Sequence, residues 1–93
     1  MPAFDVAYVR EQGQSMVIVP LDGQFEHKSE ATQRKVAAEL QVRAAAAGLA
    51  GKVVLMWRAG SRTRFIAPPQ WHAFFRSIDL SWVAMNINKR LSW

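Results

Sequence analysis

The sequence predicts an α+β domain of two layers, in which helices pack on a four-stranded antiparallel sheet built from two hairpins. Three observations lead to this class. Short alternating segments occur in two pairs, a long helical pattern separates the pairs, and two shorter helical patterns follow the second pair. Strands joined by short turns pair antiparallel, and strands interrupted by helices indicate a sheet covered by helices. The 93 residues suit a single domain over residues 1–93, in the order ββαββαα.

The first hairpin is expected from FDVAYV at residues 4–9 and MVIVPL at residues 16–21. A two-residue loop that contains Gly13, in either of its two possible positions, brings the alternating apolar residues of both strands onto one face. Pro20 has no amide hydrogen for the ladder, so we expect this strand at a sheet edge or Pro20 near its end. The residues that share the face are Phe4, Val6, Tyr8, Val17, Val19 and Leu21.

A long helix is predicted between the two hairpins. Ser29 is a favourable N-cap residue, and Gly48 can adopt the left-handed conformation that ends a helix after Ala47. Apolar residues between these limits recur at helical spacing and predict the side that packs on the sheet. This stripe consists of Val36, Leu40, Ala44 and Ala47.

The second hairpin is expected from KVVLMWR at residues 52–58 and TRFIA at residues 63–67, with Gly60-Ser61 as its loop. This register places Trp57 opposite Arg64. Two prolines then end the strand and suit the first turn of a helix, where no amide hydrogen is needed. The apolar stripe of that helix, at positions i, i+3, i+4 and i+7, consists of Trp71, Phe74, Phe75 and Ile78.

The last segment, residues 80–91, fits two structures. Asp79 is a suitable N-cap, and an apolar stripe at helical spacing follows it, which favours a helix. A strand that alternates through Val83, Met85 and Ile87 is the alternative. We prefer the helix because its cap and its stripe agree.

Charge is distributed unevenly along the chain, whose net charge is +5. Residues 1–47 contain five basic and six acidic side chains, whereas residues 48–93 contain seven basic side chains and one acidic side chain. All four tryptophans also lie in the second half. This asymmetry favours a surface that binds a polyanion, and a merely alkaline composition is the alternative explanation.

The tip of the second hairpin is the best candidate for such a surface. Arginine binds phosphate through its planar fork, and a neighbouring tryptophan offers a stacking surface for an unpaired base. We therefore predict a small non-enzymatic binding module that contacts nucleic acid. The candidate residues are Arg58, Arg62 and Arg64 for charge, Trp57 for stacking, and Lys52, Lys89 and Arg90 for accessory attraction. In the alternative explanation, this face of the hairpin is buried at its base and exposed at its tip, and the aliphatic stems of the arginines only cover Trp57.

A protein-interaction or self-associating domain is the second functional hypothesis. Both hairpins carry apolar residues on both faces, so either the helices divide between the two sides of the sheet or one face meets another subunit. The second option predicts a homodimer. Its contact residues would be Val9, Met16 and Ile18, or the C-terminal Trp93.

Signals for other functions are few. The chain has no cysteine, and His27, which lies near Asp22 and Glu26, has no convergent partners that would form a metal site. No phosphate-cradling glycine loop or nucleophile motif occurs, so we predict neither a cofactor nor a metal and favour a role without catalysis. The N-terminal residues lack the pattern of a signal peptide, and the apolar runs are far shorter than the roughly 20 residues that span a bilayer. These features predict a cytoplasmic protein without a membrane segment.

Overall fold

The computed structural model describes residues 3–11 and 13–92. Within these residues the chain forms five strands and three α-helices, and so confirms the α+β class. Two short 3₁₀ segments also occur, at Gly23–His27 and Pro69–Trp71. In chain order the main elements are β1 (Ala3–Glu11), β2 (Gln14–Leu21), α1 (Glu30–Ala46), β3 (Lys52–Ala59), β4 (Arg62–Ile66), α2 (His72–Ser77), α3 (Leu80–Met85) and β5 (Lys89–Ser92).

The sheet differs from the prediction, because it is mixed and has five strands in the order β4-β3-β2-β1-β5. The two hairpins are antiparallel as expected, but β2 and β3 pair in parallel. The length of α1 explains this difference. Its 17 residues extend about 25 Å, which matches the roughly 26 Å of the eight-residue β2. The helix therefore returns the chain to the end of the sheet where β2 began, as a parallel crossover requires.

The helices divide between the two faces of the sheet, so the fold has three layers instead of the predicted two. The first core lies between α1 and the sheet; its buried residues are Val6, Val17, Val19, Phe25, Leu40, Ala44, Leu49, Val53, Leu55, Trp57 and Leu91. The second core lies between the sheet and the pair α2 and α3; its buried residues are Ala7, Met16, Ile18, Val54, Met56, Phe75 and Val83. Alternating strand residues supply both cores, which explains why both hairpins carry apolar residues on both faces.

The first hairpin agrees with its prediction, and so do the cap, the stop and most of the stripe of α1. Ala47, the last residue of the predicted stripe, is instead the exposed C-cap of the helix. The predicted face of β1 and β2 packs in the first core, and Gly13 has a φ of +77° at the hairpin turn. The side chain of Ser29 accepts a hydrogen bond from the Thr32 amide, and Gly48 has a φ of +82° after the helix. The strand β2 lies inside the sheet and not at its edge. Pro20 is instead near the end of this strand, as its second-last residue, which is the other position that was predicted.

The C-terminal segment follows neither predicted structure over its whole length. Val83 and Met85 lie in a helix, so the alternative strand through these residues is wrong, and a strand at Lys89–Ser92 replaces the end of the predicted helix. The Asp79 side chain accepts a hydrogen bond from the Trp82 amide and begins α3, so the helix prediction is right for residues 80–85. The chain then forms β5 at the outer edge of β1. Asn88 directs this change, because its side-chain amide donates to the Tyr8 carbonyl at 2.9 Å and accepts from the Tyr8 amide at 2.8 Å. Leu91 is then buried in the first core.

The aromatic stripe predicted for α2 packs on the sheet, and it covers the face opposite α1. Phe75 is buried, while Trp71, Phe74 and Ile78 are half-buried around it. Phe74 contacts the Trp82 ring edge to face at 5.7 Å, which joins α2 to α3. Within the described part of the chain, no helix is long and apolar enough to cross a membrane.

Candidate nucleic-acid interface

The hairpin of β3 and β4 forms one end of the sheet, and its register is the predicted one. Trp57 pairs with Arg64, and Ala59 pairs with Arg62. Gly60 has a φ of +63°, which suits a two-residue hairpin turn. Since side chains alternate along a strand, Arg62 and Arg64 lie on the α1 side of the sheet and Arg58 lies on the opposite side.

Trp57 belongs to the first core, and this corrects the prediction that its ring is a stacking surface. The residue is only 2% exposed. Its ring meets the Phe25 ring edge to face at 4.9 Å, and its indole N–H donates to Glu26 Oε1 at 3.1 Å. A base could reach the indole face only if the core opened, so the contact surface of the hairpin is its arginines.

Glu26 is the partner of Arg64. The Arg64 Nη1 group donates to both carboxylate oxygens, at 3.1 Å to Oε1 and 2.9 Å to Oε2. The Arg64 side chain is nevertheless 57% exposed, and its guanidinium carbon lies 6.0 Å from the centre of the Trp57 ring. The arginine stem thus covers the edge of the buried indole, while the head group remains accessible to solvent.

The hydrogen bonds on Glu26 stabilise its ionised form. The Trp57 indole N–H and then the Arg64 guanidinium hold the pKa of Glu26 below its usual value, against the smaller opposing effect of desolvation. The carboxylate is therefore charged at neutral pH and binds Arg64 throughout the physiological range.

The segment before α1 positions Glu26, and this contact was not predicted from the sequence. The Asp22 side chain accepts from the Gln24 amide and caps the 3₁₀ turn at Gly23–His27. A Cβ atom on Gly23 would lie 2.9 Å from the Arg58 carbonyl oxygen, so only glycine lets this turn approach β3 so closely. Glu26 and Arg64 are 38 residues apart, and no local pattern links them.

Arg58 and Arg62 are the exposed cations of the tip. Arg58 Nε donates to the Gly60 carbonyl at 3.2 Å, which holds the stem against the turn. Neither arginine forms a salt bridge with any of the residues at 3–11 and 13–92. Their charges are therefore available to an anionic partner.

The accessory residues do not join this cluster. Lys89 and Arg90 lie on β5 at the opposite edge of the sheet, which is about 19 Å from β4 at four strand spacings. Arg90 also lies 3.4 Å from an Asp5 carboxylate oxygen. Lys52 begins β3, so it is about 20 Å along the strand from Arg58. The predicted set of basic residues thus separates into the hairpin arginines and three distant positions.

The sheet residues predicted for self-association are covered by the chain itself. Met16 and Ile18 are buried in the second core, and Val9 packs half-buried against that core. The helices α2 and α3 occupy the face on which a partner subunit was expected, which corrects this choice of contact. Trp93 lies outside the described residues. The homodimer itself stays a prediction.

A cavity of about 490 Å³ adjoins the pair formed by Glu26 and Arg64. Its wall carries charges of both signs, with Lys28 beside the Glu30–Arg34 pair, in which the closest nitrogen and oxygen are 2.6 Å apart. The mixture of charges makes this cavity less cationic than the tip of the hairpin.

The two histidines lie in different surroundings. His27 is exposed at the end of the 3₁₀ turn. His72 is half-buried, and its Nε2 atom lies 3.0 Å from the Ala67 carbonyl oxygen. The His72 ring also contacts the Phe65 ring edge to face. In the described part of the chain, no group of three histidine, cysteine or carboxylate residues could hold a metal ion.

Comparison with known proteins supplies no relative. No protein-family model matches the chain, and no curated protein or solved structure matches it at a significant level.

Proposed function

We propose that this protein is a non-enzymatic binding module for nucleic acid, and that it contacts phosphates through Arg58, Arg62 and Arg64. One observation carries the proposal. Three guanidinium groups extend from the tip of one hairpin, and among residues 3–11 and 13–92 Glu26 is the one carboxylate that pairs with any of them. Guanidinium groups that face solvent in this way can each bind two phosphate oxygens.

The arrangement favours phosphate contacts over contacts with bases. Trp57 is buried, so the hairpin offers no aromatic platform for an unpaired base. Arg58 projects from one side of the hairpin, and Arg62 and Arg64 project from the other. Cations on both sides of the hairpin tip can meet phosphates of two strands, and phosphate contacts carry no sequence information. We therefore expect binding to duplexes of any sequence.

The distant basic residues contribute little to this contact. Lys89 and Arg90 are about 19 Å away at the other sheet edge, whereas the Debye length is about 10 Å at 0.1 M salt. Their charges are therefore screened from the phosphates that the hairpin arginines bind. They provide a matched control, because neutralising them changes the net charge of the protein by the same amount as neutralising two hairpin arginines.

The test is a fluorescence anisotropy titration of a labelled 20-base-pair duplex in 50 mM salt. Two phosphate contacts increase the association constant by about two orders of magnitude when the salt concentration falls from 1 M to 50 mM, and a variant that lacks both contacts loses this increase. We therefore expect Arg58→Gln with Arg62→Gln to weaken binding at least about tenfold, and Lys89→Gln with Arg90→Gln to weaken it less than about threefold. Equal effects of the two double variants would place the contact elsewhere, and no binding by the native protein would refute the function.

A further inference from the structure

The three hairpin arginines differ in how firmly the rest of the chain holds their head groups. The Arg62 side chain forms no hydrogen bond with any described residue, and Arg58 forms one, from Nε to the Gly60 carbonyl oxygen. Arg64 instead donates two hydrogen bonds to the carboxylate of Glu26, which belongs to a different part of the chain. Arg64 is therefore the hairpin arginine with the most fixed position.

Glu26 is itself fixed by the core. Its Oε1 atom accepts a hydrogen bond from the Trp57 indole N–H at 3.1 Å, and Trp57 is buried. The Glu26 side chain is only 30% exposed, and the residue lies in the 3₁₀ turn that approaches β3 closely at Gly23. Hydrogen bonds thus connect the core through the carboxylate to the Arg64 guanidinium.

The contact with Glu26 occupies one nitrogen of that guanidinium. Both hydrogen bonds are donated by Arg64 Nη1. The N–H groups on Nε and Nη2 of an arginine point in one direction and can bind two oxygens of one phosphate. In the part of the chain that the structure describes, Nε and Nη2 of Arg64 have no hydrogen-bond partner, and more than half of the side chain is exposed. Glu26 therefore leaves this edge of Arg64 unoccupied.

We propose that Glu26 is a positioning residue for the binding of nucleic acid, because it holds Arg64 through Nη1 and leaves the Nε–Nη2 edge for a phosphate. This role rests on the proposed function. Ordering a long side chain on binding weakens affinity by about twofold to tenfold, and Glu26 orders Arg64 before the ligand arrives. The negative charge of Glu26 repels phosphate, so its charge and its positioning effect act in opposite directions.

Two variants of Glu26 separate position from charge. Glu26→Asp keeps the charge, but its side chain is one methylene shorter and cannot contact Trp57 and Arg64 together. It should bind the 20-base-pair duplex about twofold to tenfold more weakly than the native protein does. Glu26→Gln keeps the length and an acceptor oxygen and removes the repulsion, so it should bind more tightly than Glu26→Asp. Glu30→Asp is the matched control, because Glu30 pairs with Arg34 on α1, and it should leave the affinity unchanged.

Nuclear magnetic resonance measures the order of Arg64 without nucleic acid and without a variant. In the native protein, nitrogen relaxation should give Arg64 Nε an order parameter near the rigid value of about 0.85, and Arg62 Nε a value below about 0.6. Glu26→Asp should lower the value for Arg64 to that of Arg62. When Arg64→Gln is already present, Glu26→Asp should change the affinity for the duplex by less than about twofold, because no guanidinium remains to be positioned.

The outcomes distinguish the role of Glu26 from the function on which it rests. If the native protein binds the duplex and Glu26→Asp binds it equally well, with an unchanged circular dichroism spectrum, the positioning role is contradicted and the function stands. An Arg64 Nε group as mobile as that of Arg62 in the native protein would also contradict the role. A native protein that does not bind the duplex would refute the function and the role together.

Discussion

Leu40→Ala provides a direct test of how α1 packs on the sheet. Leu40 and Ala44 are the buried residues of this helix, and Leu40 is 1% exposed in the first core. Removal of its three outer carbons leaves a cavity, at a cost of about 2–5 kcal/mol in the free energy of unfolding. A protein of 93 residues has a total stability of about 5–14 kcal/mol, so one truncation removes a large fraction of it.

Urea unfolding followed by circular dichroism measures this change. With an m-value of about 1–3 kcal/mol/M, a loss of 3 kcal/mol lowers the midpoint by about 1–3 M. Val42→Ala on the same helix is the control, because Val42 is 66% exposed and its truncation should change stability by less than about 0.5 kcal/mol. A change of less than about 0.5 kcal/mol in Leu40→Ala, or equal changes in both variants, would refute the packing of α1.

Two further predictions test the second core and the Glu26 contact. Ile18→Glu places an unpaired carboxylate in a fully buried position and should unfold the protein, with loss of its far-UV circular dichroism. A folded variant that only changed its oligomeric state would instead support self-association through this face. For Glu26, the lowered folded-state pKa stabilises the protein above the unfolded value of about 4.3, and this contribution disappears as the pH falls through the folded-state value. The stability difference between the native protein and Glu26→Gln should therefore be largest at pH 7 and shrink below pH 4, as urea unfolding at several pH values would show; a difference independent of pH would contradict the ionised pairing.

Local patterns in the sequence predicted the elements well, because local interactions decide them. The cap at Ser29, the stop at Gly48 and the alternation in β1 and β2 each involve a few neighbouring residues. The strand order could not be obtained in this way. It depends on where a 17-residue helix returns the chain, and on the pairing of Asn88 with Tyr8 across 80 residues.

In the candidate site, too, the local features could be predicted from the sequence and the long-range contacts could not. The loop at Gly60-Ser61 fixed the register of the hairpin and hence the sides on which its arginines lie. The burial of Trp57 depends on Phe25 and Glu26, which reach β3 only because Gly23 permits a close approach. The alternative explanation for Trp57, in which an arginine stem covers it as the face turns towards solvent, agrees with the structure.

The salt dependence of DNA binding tests the proposed function most directly. Three arginine–phosphate contacts predict that the logarithm of the association constant falls with the logarithm of salt concentration with a slope of about −2.7 on duplex DNA. Arg58→Gln with Arg62→Gln should reduce that slope to about −0.9, while Lys89→Gln with Arg90→Gln should leave it near −2.7. A slope near zero in the native protein, or a slope that the hairpin variants do not change, would contradict binding through these arginines.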